Sequence, residues 1–297
     1  KVKRPGTTVR SRSGYYAPRE GTLTTPEQRA TPTTNDLGLA GMYSAAGLAL
    51  RVAAAPIARS AASGTRNADV AIVLTVRLPA IRGALSESVT VVRTLYDAEG
   101  RASTPVQEKR DLTLQSTTGD ELRYDVYQRL TLAPGRYTVR LNATSKAISR
   151  SGSVYADIEV PDFSRPALTA SSLVLGTRAD PPAPRTDVLA SVVPILPTSA
   201  REFSPSDSVF AFLRVFQGGS APIAPVTMTT KVLDIADTPV FEESKTIAPE
   251  AFDASRSAPF EIALPLSRLS HGPHLVSISV AAPGASSVRR DLVFRVR

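Results

Sequence analysis

Leu132-Ala-Pro-Gly-Arg-Tyr-Thr-Val-Arg-Leu-Asn-Ala143 is the stretch on which the reading of this chain turns. Pro134-Gly135 is a turn dipeptide, and the residues after it alternate strictly, with Tyr137, Val139 and Leu141 on one side and Thr138, Arg140 and Asn142 on the other. A period of two places successive side chains on opposite faces of an extended chain, so this segment is a strand with one buried face.

The same signal extends outward in both directions. Val70 to Leu78, ended by Pro79, reads as a strand, and so does Ser88 to Tyr96, followed by the turn-forming Asp97-Ala-Glu-Gly100. Leu122 to Leu132 and Val154 to Val160 complete the set, while a helical period is almost nowhere found. Short strands joined by short turns predict an all-β protein built as an antiparallel sandwich.

The order then recurs. An offset of 137 residues carries Val89-Thr90 onto Val226-Thr227, Arg77 onto Arg214, Asp97 onto Asp234, Gly135 onto Gly272 and Val139 onto Val276. One constant offset is expected from the second strand to the sixth, with a one-residue slip only at the last, where Leu292, Phe294 and Val296 meet Val154 to Val160. Two copies of one seven-stranded sandwich are therefore predicted, over 38–162 and 163–297. A Pro-Gly turn followed by Tyr137 at a strand start resembles the tyrosine corner of immunoglobulin-like and fibronectin-like domains. The resemblance implies that its hydroxyl bonds back to the chain. The second copy has His274 in the tyrosine's place after Gly272, which reads as a structural polar ring; a metal site would want further ligands nearby.

Composition bounds the rest. The 297 residues are 42% hydrophobic and 21% charged, values of an ordinary globular chain long enough for two domains. Cysteine is absent, which excludes disulfides, thiolate metal sites and a cysteine nucleophile. The net charge of +8 invites a nucleic-acid or anionic-membrane reading. Against it, only six of the 35 basic residues are lysine, and the arginines are spread along the chain, usually one per strand. The exception is the start, where Lys1, Lys3, Arg4, Arg10 and Arg12 precede Tyr15 and Tyr16. Leu37 to Leu50 is uncharged, but it is shorter than the roughly 20 residues of a membrane-spanning helix and holds three glycines.

Residues 1–20 read as two strands around Pro5-Gly6, and 21–37, rich in Thr and Pro, as a linker. The chain thus opens inside a hairpin, and a longer or processed parent protein is expected. Lys1-Val-Lys-Arg-Pro-Gly-Thr-Thr-Val-Arg-Ser-Arg-Ser-Gly-Tyr-Tyr-Ala-Pro18 resembles the end of the von Willebrand factor A-related domain of secreted bacterial proteins, in which such a strand closes the A-type domain before a β-rich C-terminal region. Pro134-Gly-Arg-Tyr137, Glu159 to Ser164 with Leu173-Val-Leu175, and Pro197 to Phe203 extend the likeness. The resemblance implies residence in the periplasm or outside the cell. The cation-binding D-x-S-x-S motif of A-type domains is absent; Asp162-Phe-Ser164-Arg-Pro166 departs from it at the last position. No metal function carries over.

No nucleophile elbow, phosphate-cradling glycine loop or H-E-x-x-H helix occurs in the sequence. The acidic pairs Asp120-Glu121, Asp234 with Asp237, and Glu242-Glu243 fall at turns or strand ends, and Asp234, Asp237 and Asp253 make a weak calcium set. The expectation is a non-enzymatic interaction or scaffolding module of the cell envelope without a cofactor. It would meet protein partners, such as a larger membrane complex, through the groove between the copies and the proline-rich loop at Pro181 and Pro182. A carbohydrate-binding role would need aromatic platforms, for which Tyr15, Tyr16, Tyr124 and Tyr127 stand without any tryptophan. Nucleic-acid binding would rest on the basic start.

Overall fold

The computed structural model describes residues 47–59, 66–79, 85–114, 121–178 and 187–297. The N-terminal strands and linker read from residues 1–37, and the proline-rich loop at Pro181 and Pro182, lie outside them. Among the described residues the regular structure is β, with no α-helix and two single 3₁₀ turns at Pro249–Ala251 and Leu266–Arg268.

The first unit has seven strands: β1 (Ala49–Arg59), β2 (Ala68–Pro79), β3 (Leu85–Tyr96), β4 (Val106–Leu114), β5 (Glu121–Leu132), β6 (Gly135–Ser145) and β7 (Arg150–Val160). They form two antiparallel sheets, ordered β1-β2-β5 and β4-β3-β6-β7. Ile72, Leu74 and Val76 from the first sheet share one core with Val91, Val139 and Leu141 from the second. The alternation read from the sequence supplies those inward faces. The Tyr137 hydroxyl donates to the carbonyl of Ala133 at 3.1 Å, tying the β5–β6 turn to the start of β6.

Two strands lack a clean sequence signal. In β1 the run is rich in alanine and holds Pro56, both disfavoured in strands. The strand tolerates them because it is an edge, with a register shift between Pro56 and Ala58. In β4, Gln-Glu-Lys-Arg-Asp at 107–111 covers the other sheet's edge with charge, which blocks edge-to-edge association.

The second unit repeats this order with additions. Its strands are β8 (Thr169–Ala170), β9 (Val174–Thr177), β10 (Leu196–Pro197), β11 (Glu202–Phe203), β12 (Phe210–Phe216), β13 (Val226–Leu233), β14 (Pro239–Ile247), β15 (Ser257–Ala263), β16 (Gly272–Ala281) and β17 (Val288–Val296). One sheet runs β10-β9-β12-β15 with β8 beside β12, and the other runs β11-β17-β16-β13-β14. Ten short and long strands replace the seven expected, because the segment opening the unit is broken into pieces. Its last piece, β11, crosses to the second sheet and pairs parallel with β17.

The offset of 137 matches inward faces at three strand pairs. Val91, Val139 and Leu141 correspond to Met228, Val276 and Ile278, and Ile72 and Leu74 to Val209 and Ala211, all in their units' cores. The turns agree as well. Asp97 Oδ1 accepts from the N–H groups of Glu99 and Arg101, and Asp234 Oδ1 accepts from those of Ala236 and Thr238. The expected constancy fails at β15. Leu122 and Val126 face the core in β5, but their counterparts by offset are Pro259 and Ala263, whereas Phe260 and Ile262 fill the second core. A one-residue slip inverts a strand's faces. The 3₁₀ turn at Leu266–Arg268 lies between β15 and Leu269, where the phase is recovered.

The two units are joined by a third apolar cluster. Val73 and Ile57 of the first unit pack with Phe212, Leu189, Val193 and Ile195 of the second. Phe163 and Phe216 stack with ring centroids 4.3 Å apart, and Phe216 belongs to the first unit's core although β12 belongs to the second. The Ser172 N–H donates to the Pro56 carbonyl at 3.0 Å across the joint. Strand β2 is consequently buried on both faces.

Candidate binding cleft

The outer face of the sheet β1-β2-β5 is laid out by register. Ala53, Val73 and Tyr127 form one row across the three strands, and Ala55, Ala71 and Arg129 the next. These rows lie under the second unit. In the opposite direction the rows become charged, first Arg51, Thr75 and Asp125, then Ala49, Arg77 and Arg123. Here the second unit stands off the sheet, and two confluent clefts of about 470 and 520 Å³ open between them.

Arg51, Arg77, Arg123 and Arg297 line the smaller cleft against Glu121 and Glu202, with the Thr75 and Ser199 hydroxyls at its base. Arg77 pairs with Glu121 at 2.5 Å and Arg297 with Glu202 at 2.6 Å. The larger cleft shares Arg123, Glu202 and Arg297 and continues past Asp125, Phe203 and Asp207. Behind it, Arg201 donates to the carbonyls of Thr198 and Ala200 at 3.2 and 2.7 Å. Burial and the nearby charge of Arg51 push its guanidinium down to about 10. Burial raises the Asp125 carboxyl above its ordinary range, against the opposing pull of the Thr75 hydroxyl and the Arg123 charge.

Of the residues read from the sequence as interaction candidates, Lys1, Lys3, Arg4, Arg10, Arg12, Tyr15, Tyr16, Pro181 and Pro182 lie outside the described residues. Gly135 and Gly272 both open strands, the latter with φ of 130°. His274 is buried, stacked on Phe294 at 5.7 Å, and its Nδ1 lies 3.1 Å from the Gly272 carbonyl. Tyr124 packs against the first core, where burial raises its hydroxyl's pKa, and Tyr127 packs against the joint cluster. Neither is set out as an open platform for a sugar. Asp253 is spent on its own turn, accepting from Ser255 and Ser257, as Asp234 is on its turn. No group of three metal-ligating side chains occurs among the described residues. No helix among them is long and apolar enough to cross a membrane.

Along the chain the arginines are scattered. Arg51, Arg77, Arg123, Arg201 and Arg297 are far apart in the chain, and only register and the docking of the units gather them. A clue to that docking lay in β2. Val70-Ala-Ile-Val-Leu-Thr-Val76 is nearly continuous in its apolar character, the pattern of a strand covered on both faces.

No protein-family model matches the chain, and no curated protein does. Among solved structures, a tetra-tandem repeat from the extending region of a large adhesion protein aligns at 14% identity and a TM-score of 0.24. The alignment covers 84% of this chain and spans half of that one.

Proposed function

We propose that the chain is a non-enzymatic protein-interaction or scaffolding module of a bacterial cell envelope, periplasmic or extracellular, attached to a larger membrane complex. In this reading each unit is an immunoglobulin- or fibronectin-like β-sandwich. The sheet orders β1-β2-β5 and β4-β3-β6-β7, together with the Tyr137 bond to Ala133, support that assignment.

The observation that carries the proposal is the joint. Tandem domains linked only by a flexible segment move independently, and interfaces within a chain are ordinarily modest and polar. Here an apolar cluster around Val73 and Phe212 and the Phe163–Phe216 stack fix the second unit on the first. A stiff pair presents widely separated surfaces at set positions, which is what a scaffold must do and what a lone binding domain has no need of.

The test is a pull-down of the tagged full chain from chemically cross-linked envelope extracts, with mass spectrometry of the eluate. A membrane-complex subunit recovered in constant ratio is expected. Failure to retain any stable partner across several cross-linkers would overturn the proposal.

A further inference from the structure

The cleft between the units holds positive charge at a cost in stability. Arg77 and Arg123 are direct cross-strand neighbours on β2 and β5. Like charges directly opposite one another in a sheet are destabilising, where an opposite pair would stabilise. Arg51 stands close enough to the half-buried Arg201 for the two charges to repel. Glu121 and Glu202 engage Arg77 and Arg297, while Arg51 and Arg123 form no close ion pair among the described residues and interact only through space, with Glu202 and Asp125. An arrangement with four arginines facing two glutamates around two buried hydroxyls is poised for an incoming anion.

Resting on the scaffold reading, we propose that this cleft docks an extended acidic peptide segment of the partner protein, with Arg51 and Arg123 receiving its carboxylates. Three features select that occupant. Arginine presents a planar fork that bonds a carboxylate through two parallel N–H groups. The acids interleaved with the arginines, Glu121, Asp125, Glu202 and Asp207, would repel a uniform polyanion such as DNA but can meet the basic residues of a mixed peptide. The cleft's one aromatic lining residue, Phe203, is buried, so it lacks the ring platform that a sugar chain stacks on. The two clefts share Arg123, Glu202 and Arg297 and so form one groove along the joint rather than a closed pocket.

The experiment titrates the full chain into a fluorescein-labelled glutamate-rich peptide with interspersed lysines and reads anisotropy at several salt concentrations. Binding that weakens with salt is expected. Arg51→Ala should weaken it about tenfold, Arg123→Glu should abolish it, and Arg123→Lys, which keeps the charge but loses the fork, should weaken it several-fold. Arg123 is exposed, so neither substitution there threatens the fold, and thermal melts check this. Arg110→Ala, on the exposed edge strand β4, should bind as the parent does. Absence of peptide binding at low salt, or binding indifferent to Arg51→Ala and Arg123→Glu, overturns the proposal. So does arginine-dependent binding of polygalacturonate or a DNA oligonucleotide in place of the peptide. If the envelope pull-down recovers the same partner from the Arg51→Ala/Arg123→Glu chain, the cleft is not the docking site and the scaffold reading stands. If no partner is recovered from the parent chain either, it is the scaffold reading that fails.

Discussion

The Thr75 hydroxyl on β2 lies 2.6 Å from the Ser199 hydroxyl of the second unit and donates to the Asp125 carboxylate on β5. Since the single Thr75 proton goes to Asp125, Ser199 is the donor to Thr75. Both residues are nearly sealed from solvent, at 3% and 2% exposure, so each hydroxyl depends on the other. The chain of three groups runs across the joint at the floor of the arginine cleft.

Thr75→Val keeps the shape of the side chain and removes this link. The Ser199 hydroxyl then loses its acceptor in a buried place and Asp125 loses a donor, at a cost of about 1–3 kcal/mol. Urea denaturation followed by circular dichroism measures it. A variant as stable as the parent would mean that water replaces the hydroxyl.

The joint cluster should make the two units melt together. Val73→Asp places an unpaired carboxylate among Phe212, Val193 and Ile195, a substitution of the kind that costs several kcal/mol, on the order of 3 or more. Calorimetry of the parent chain should give one cooperative transition, and the variant two, as the halves uncouple. One transition in both would show that the cluster does not couple the units.

Stability should depend on pH through Asp125. Its folded carboxyl titrates above the ordinary value of 3.8, mainly because burial disfavours its charge. Between that value and the raised one, the native state holds a proton that the unfolded chain has released. The unfolded state then binds fewer protons, so stability falls as pH rises through this window. Asp125→Asn should flatten that decline while still accepting from Thr75 through its amide oxygen. Melting temperatures of the two chains across the acid range decide it, and parallel curves would refute the assignment.

The matched turns after β3 and β13 give a paired test. Gly100 has φ of 79°, and its counterpart by offset, Asp237, has φ of 62°. A Cβ at Gly100 meets no atom within 4 Å, so the penalty there is purely conformational. Gly100→Ala should cost about 1–2 kcal/mol, and Asp237→Gly should change stability by less than about 1 kcal/mol. Equal effects at both sites would argue against equivalent turns.

Much of the fold is legible from local pattern. The alternation in Ser88 to Tyr96, and in Gly135 to Ala143, marks strands that the structure contains within slightly longer bounds. Strands β1 and β4 escape because alanine, proline and charge mask the period, and they are tolerated only because both strands are edges. The slip at β15 escapes because the residues that carry the offset lie in other strands and turns, and none of them reports the parity of β5 or β15.

The candidate site divides along the same line. By itself the sequence determined a β protein with two similar halves, the Asp97 and Asp234 turns, and the tyrosine that anchors β6, because each follows from residues within one strand or turn. Only the tertiary structure decided that Arg51, Arg77 and Arg123 stand in adjacent rows and that Ser199 and Arg297 close over them. The reason is physical: alternation specifies which face a side chain takes, but not which strand lies beside it or what covers that face. Register and the burial of Val73 beneath Phe212 supply that information, and both arise from contacts between distant parts of the chain.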